Sequence, residues 1–190
     1  LFPDLGGRIG HMIDKSDGDD LLYWDLSDTA IYHGEGGALD DRRNTFEPYK
    51  ILPAPRGYPK HAVGMSFFRP EVSIEKIITL SDRGSTVRVD YRYRNTTQRD
   101  LVGYEVMTKN WFFPSGPPIS AKDVYCLPTS RGVRRIPCYS GSWRYPELRG
   151  KFKQDVGPWS GIASTTKKRG IVTAFSNDYY RWFYYWKNGV

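Results

Sequence analysis

The chain has 190 residues, 39% of them hydrophobic and 15% aromatic, with 19 glycines and 13 prolines. That is enough apolar material for a globular core and too much aromatic content for a disordered chain, while the Gly and Pro content demands many turns. Residues 1–50 carry 11 acids and 5 bases (net −6) and residues 51–190 carry 10 acids and 23 bases (net +13), which together make the formal +7. No run of about 18 apolar residues offers a membrane-spanning helix. A basic body suits an anionic partner such as an acidic polysaccharide, nucleic acid or a membrane surface, against the commoner alternative of a plain solvated face.

The opening stretch "LFPDLGGRIGHMID" sets Gly6, Gly7 and Gly10 beside Arg8. A phosphate loop needs four residues between its glycines and then Lys-Ser/Thr, and a dinucleotide site needs G-x-G-x-x-G at the head of a helix. Neither spacing is present, so the glycines are expected to punctuate a sheet at a bulge or a close backbone approach. On that reading Ile9 points to the core and Arg8 faces the other way. "DKSDGDD" crowds Asp14, Asp17, Asp19 and Asp20 into one turn. The calcium-loop spacing and its closing Glu are missing, so a solvated hairpin turn is expected.

"DLLYWDL" reads as the next strand, and "YHGEGGALDDRRN" follows as the most chemically loaded stretch. His33 and Glu35 alternate by two, so a strand would place them on one face as an acid and base. Arg42 and Arg43 are suited to clamping a carboxylate or phosphate. The competing reading is a surface loop with ordinary ion pairs. "TFEPYKIL" and "HAVGMSFFR" are strands on either side of the Pro-rich "LPAPRGYP", and His61 there joins the acid–base candidates. The three histidines, at 11, 33 and 61, show no metal-ligand spacing, and no cofactor motif or serine-nucleophile elbow is present.

The clearest element is the hairpin "VSIEKIITLSDRGSTVRVDYRYRN". Val72, Ile74, Ile78 and Leu80 share one parity, and Val87, Val89, Tyr91 and Tyr93 alternate with Arg88, Asp90, Arg92 and Arg94. Asn95-Thr96-Thr97 at its end is a glycan acceptor sequon in a secreted setting. "GYEVMTKNWFF" is a further strand before "FFPSGPP", and residues 115–156 are expected to be long and irregular. That region holds Trp143, a binding candidate in a loop-like setting, and Cys126 and Cys138, with eleven residues between them. The two cysteines either close a disulfide, which would contribute about 3 kcal/mol, or are two inert buried thiols. "GIASTTKKRGIVTAFS" is a second hairpin with a polar tip. "YYRWFYYW" is a terminal strand aromatic on both faces, buried or awaiting a partner copy.

Many short strands, frequent turns and almost no helical periodicity predict an all-β antiparallel sandwich in one domain spanning 1–190, with both ends trimmed. Within that order, "LFPDLGGRIGHMID" is similar to the early strand pair of the galactose mutarotase-like β-supersandwich superfamily of carbohydrate-active proteins. "EVSIEKIITLSDRGSTVRVDYRYRNTTQRDL" resembles its central hairpin, and "GYEVMTKNWFFP" the strand lining its sugar cleft. In the aldose epimerases that strand reads T-x-H-x-Y-F, with the His as catalytic acid. Here Thr108, Phe112 and Phe113 follow the pattern, but Asn110 stands at the His position, and an amide exchanges no proton near neutral pH. The family's catalytic Glu would fall beyond Val190.

The resemblance implies sugar binding in that cleft by Asn110, Trp111, Arg42, Arg43 and His61. The leading expectation is therefore a carbohydrate-binding sandwich, free-standing or part of a larger carbohydrate-active protein, for a glycan that can be acidic. One alternative is an epimerase, lyase or hydrolase using His33, Glu35 or His61. Another is a cell-surface or filament module that self-associates through its aromatic terminal strand. Nucleic acid is disfavoured because no recognition motif accompanies the charge. Location stays open, with an extracellular or cell-surface setting preferred.

Overall fold

The computed structural model describes residues 1–22, 38–41, 48–82, 85–102, 108–110, 112, 114–116, 123–138, 148–151, 157–176 and 182–185. Among them the only helical element is a 3-10 turn, Pro3–Leu5. The strands are β1 Ala38–Asp41, β2 Lys50–Leu52, β3 Val63–Phe68, β4 Val72–Leu80, β5 Val87–Asn95, β6 Thr108–Asn110, β7 Asp123–Thr129, β8 Gly132–Pro137, β9 Leu148–Lys151, β10 Trp159–Ser164, β11 Arg169–Ala174 and β12 Trp182–Tyr185. The fold is all-β and every described ladder is antiparallel. The described strands form two four-stranded sheets, β2-β3-β4-β5 and β11-β10-β7-β8, and two two-stranded pairs, β1-β6 and β12-β9. This is the sheet content expected of a β-sandwich. The chain divides into two compact units, residues 1–10 with 25–110, and residues 11–24 with 111–190.

In the first unit, the alternation read from the sequence sets the inner face of the sheet. Met65 pairs with Lys76 and Lys76 with Tyr91, while Phe67 pairs with Ile74 and Ile74 with Tyr93. Met65, Phe67, Val72, Ile74, Ile78 and Tyr49 are buried there, and the Tyr49 and Phe67 rings lie 5.3 Å apart. Burying each such side chain contributes roughly 1.5–3 kcal/mol. Between them sits an amine: Lys76 is 0% exposed. Its Nζ donates to the Gly6 carbonyl at 2.8 Å and lies 4.6 Å and 5.6 Å from the Tyr49 and Tyr91 ring centroids.

The N-terminal stretch reaches that amine through its glycines. Gly6 and Gly7 take left-handed conformations, φ 72 and 62, so the chain turns back and Phe2 N donates to Arg8 O at 2.9 Å. Gly10 lies under the Phe2 ring, where an added methyl would fall 1.6 Å from Phe2 Cε2. The expectation for Arg8 is corrected here. Its side chain is 0% exposed and Ile9 is only half-buried, because the double-glycine turn reverses the chain and Arg8 sits in an isolated bridge to Phe2 and not in a strand.

In the second unit, the expected tip hairpin is β10–β11, with Ile162 opposite Ile171 and Ser164 opposite Arg169. The stretch 115–156, expected to be irregular, holds a second regular hairpin. β7 and β8 pair from Val124–Pro137 to Thr129–Gly132, and the turn is closed by Thr129 Oγ1 accepting from Arg131 N and donating to Gly132 O. β9 also lies inside that stretch, pairing with β12, the aromatic terminal strand. A disulfide is excluded by this register. Cys126 stands opposite Arg135, whereas Cys138 lies beyond Pro137 opposite Asp123. An offset of three residues puts the two cysteines on opposite faces and about 11 Å apart, well beyond the roughly 7 Å a disulfide spans. No disulfide joins them.

Candidate functional site

β5 is the edge of its sheet among the described strands, and its sequence "VRVDYRYRN" gives it two different faces. Val89, Tyr91 and Tyr93 stand opposite Ile78, Lys76 and Ile74 on the inner side, and Arg88, Asp90, Arg92 and Arg94 stand opposite Thr79, Ile77, Glu75 and Ser73 on the outer side. The Tyr91 and Tyr93 rings are stacked, with centroids 5.7 Å apart and planes within 8°. Tyr93, near the end of the strand, is 39% exposed.

The outer cations differ in how far they are neutralised. Arg88 donates through Nε and Nη2 to Asp90 Oδ1 at 3.0 and 2.9 Å, and that bond raises its pKa further above the ordinary guanidinium value. Arg92 reaches Glu75 only at 3.8 Å, an exposed pair of the kind worth little in water. Arg94 and, in the loop beyond, Arg99 are exposed and have no ionic partner among the described residues. The strand end is held firmly: Asn95 Oδ1 accepts from Thr97 N and Thr97 Oγ1, Asn95 Nδ2 donates to Arg99 O, and Thr96 Oγ1 donates to Pro70 O. Cations at 92 and 94 therefore project from one side of a fixed strand, about 7 Å apart, beside a tyrosine shelf on the other side.

In the second unit the acidic turn has partners of its own. Residues 11–22 form a narrow loop closed by Leu21 N to Met12 O and Asp14 N to Asp19 O, both 2.9 Å. At its base, Asp20 accepts from His11 Nδ1 at 2.6 Å and from Met12 N and Leu22 N at 3.1 Å. Partial burial raises the Asp20 pKa, and these three bonds outweigh it and leave it below the ordinary carboxylate value. At the tip, Asp14, Asp17 and Asp19 converge on Arg169 and Lys167. The turn is the exposed hairpin turn expected from sequence, with ion pairs to Arg169 and Lys167 added to it.

Asp17 illustrates the consequence. The Asp19 N–H bond to its carboxylate lowers its pKa most, burial opposes it next, and Arg169 and Lys167 then add to the lowering and hold it at about 2. A depressed carboxylate contributes stability that is full above its unfolded value and is lost as pH falls through the folded one, so this contribution disappears between about pH 4 and pH 2. A carboxyl NMR titration is expected to place Asp17 near 2. Arg169→Gln should move it upward but still below 3.8, since the Asp19 N–H bond survives; an unmoved midpoint would show that Arg169 has no part in it.

Beneath the tip, buried Asp123 accepts from Ser115 Oγ, Ser115 Oγ bonds Ser164 Oγ at 2.7 Å, and Ser164 Oγ bonds Thr166 Oγ1 at 3.0 Å and accepts from Lys167 N at 3.1 Å. This chain of bonds satisfies the buried carboxylate and holds the β10–β11 turn on β7.

The sequence-derived candidates distribute as follows. His33, Glu35, Arg42, Arg43, Trp111 and Trp143 lie outside the described residues. His61 is 45% exposed and meets only Asp82, at 3.8 Å, which gives no oriented acid–base pair among the described residues. Asn110 ends β6 opposite Ala38 of β1, half-buried. Sequence reasoning missed Lys76, Arg8 and the Arg169 cluster. The sequence shows an acidic "DKSDGDD" and a polar tip "TTKKRG", but nothing in a one-dimensional pattern joins positions 150 residues apart. The chain matches no family model, no curated protein and no solved structure.

Proposed function

We propose that this protein recognises carbohydrate, with acidic polysaccharide as its preferred ligand, along the β5 edge. The observation that carries the reading is the alternation on one exposed strand of a stacked tyrosine pair with arginines left without strong partners. Guanidinium groups bind carboxylates and sulfates through paired N–H donors, and aromatic rings stack on the apolar faces of sugar rings. The surplus of positive charge over residues 51–190 supplies long-range attraction to such a polymer. The reading agrees with the mutarotase-like resemblance, which implies sugar binding without proton exchange at Asn110, and it holds whether the chain acts alone or within a larger carbohydrate-active protein.

The test is a binding titration with polygalacturonate at low ionic strength, using neutral dextran and random single-stranded DNA for comparison. The wild type should bind polygalacturonate and not dextran. Arg92→Gln/Arg94→Gln should weaken binding about tenfold, equivalent to about 1.4 kcal/mol. Unchanged binding in that variant would overturn the β5 assignment. Equally tight, steeply salt-dependent binding to DNA would replace a glycan by nucleic acid as the ligand.

A further inference from the structure

The tip of the β10–β11 hairpin brings Lys167, Lys168 and Arg169 together, and two of the three are already engaged by carboxylates. Arg169, 15% exposed, donates through Nε to Pro114 O at 2.5 Å, which fixes the guanidinium and turns its two Nη groups toward residues 14–19. Nη1 donates to Asp14 Oδ2 at 3.0 Å and to both carboxylate oxygens of Asp17 at 2.9 Å, and Nη2 donates to Asp19 Oδ2 at 2.5 Å. Lys167 Nζ meets Asp17 at 3.3 Å and Asp19 at 3.0 Å. Lys168 is exposed, held left-handed at φ 53, and has no ionic partner among the described residues. An anchored guanidinium with an ammonium beside it, filled by three carboxylates, is the arrangement a polyanion's acid groups would occupy.

What keeps the acidic turn there is charge. Ile13, Lys15, Ser16, Asp17 and Gly18 are exposed, and the one described apolar side chain of residues 11–22 that is fully buried is Leu22, at the far end of the loop. Ion pairs that water reaches contribute little individually and are screened by salt and by competing charges.

We propose that the Lys167–Lys168–Arg169 turn is a second anion site, for the carboxylates of an acidic polysaccharide, and that the Asp14–Asp19 turn occupies it in cis as a built-in competitor. This does not depend on the β5 reading. A carboxylated polymer displaces the turn by offering Lys167 and Arg169 the same oxygen ligands and Lys168 an ionic partner that it lacks among the described residues.

The test titrates polygalacturonate into the intact protein carrying Asp14→Asn/Asp17→Asn/Asp19→Asn, in the wild-type and in the Arg92→Gln/Arg94→Gln backgrounds. Removing the competitor should tighten binding about tenfold in both backgrounds, and adding Lys167→Gln/Lys168→Gln should abolish the gain. Asp17→Asn alone, which leaves Asp14 and Asp19 on Arg169, should tighten binding about threefold. Glu71→Gln/Asp82→Asn/Asp100→Asn changes the net charge equally at exposed positions elsewhere and should stay within about twofold of wild type. A gain no larger than in that control, or one that survives the lysine substitutions, overturns the proposal. If Arg92→Gln/Arg94→Gln has no effect of its own while the gain persists, the β5 site fails and this one stands.

Discussion

Lys76→Ala is expected to destabilise the unit of residues 1–10 and 25–110 by about 3–5 kcal/mol, read as a lower midpoint in urea unfolding with the slope unchanged. Two losses combine. The side chain is fully buried between Met65 and Tyr91 in the ladder, so truncation leaves a cavity of the kind that costs about 2–5 kcal/mol for a long side chain. Its ammonium is also a donor to Gly6 O, and a buried carbonyl left unsatisfied costs a further 1–3 kcal/mol or so. Lys76→Met separates the two contributions. It keeps the stem and surrenders the charge, and replacing a buried charge by an apolar group of similar volume is often close to neutral, so a loss of no more than about 2 kcal/mol is expected. If methionine proves as damaging as alanine, the ammonium and not the packed stem carries the stability.

Gly7→Ala should cost about 2–4 kcal/mol by the same measurement. At φ +62 an alanine is strained, and its methyl would lie 3.1 Å from Tyr49 Cγ and 3.3 Å from Met65 Cε and Sδ, both buried side chains. Gly57 is the matched control, since it sits at φ +87 with nothing within 4 Å of an added methyl. Gly57→Ala should therefore cost only the backbone strain, about 1 kcal/mol. Equal losses at the two positions would sink the claim that close approach is what reserves position 7 for glycine. Met65→Ala makes room beside Gly7, so in the double variant the two losses should sum to less than their separate values.

Both predictions concern the stretch "LGGRIG", which shows where reading the chain alone reaches its limit. The motif spacings excluded a phosphate loop, and a bend at the glycines was legible. That Gly6 lends its carbonyl to a buried lysine 70 residues later was not. Lys76 itself sits at a core parity between Ile74 and Ile78, and pattern alone offers no reason to bury an amine there. The reason is three-dimensional: a carbonyl and two aromatic faces converge on one point and make its burial tolerable.

The regular hairpins tell a complementary story. β4–β5 and β10–β11 were readable because one half-buried face imposes a two-residue period and the tip is polar. β7–β8 escaped notice because β8 is an edge strand exposed on both faces along most of its length. Without a buried face there is no alternation to read, and Pro128 and Pro137 suggest a loop. The β5 alternation of tyrosine and arginine was visible, but its meaning was not, because the pattern does not say that β5 lies at an edge or that Glu75 only weakly neutralises Arg92.

By itself, then, the sequence determined what is local: an all-β antiparallel chain, the β4–β5 and β10–β11 hairpins, an acidic first segment and a basic remainder. Those follow from periodicity, turn chemistry and composition, which act over a few residues or over the whole chain at once. Only the tertiary structure decided which charges are buried, which are paired and which are left open. It put Lys76 under the opening glycines, kept Cys126 and Cys138 apart by three residues of register, and laid three N-terminal aspartates on Arg169. Each of these depends on strand order and register, which arise from the burial of whole faces and not from the identity of any one residue along the chain.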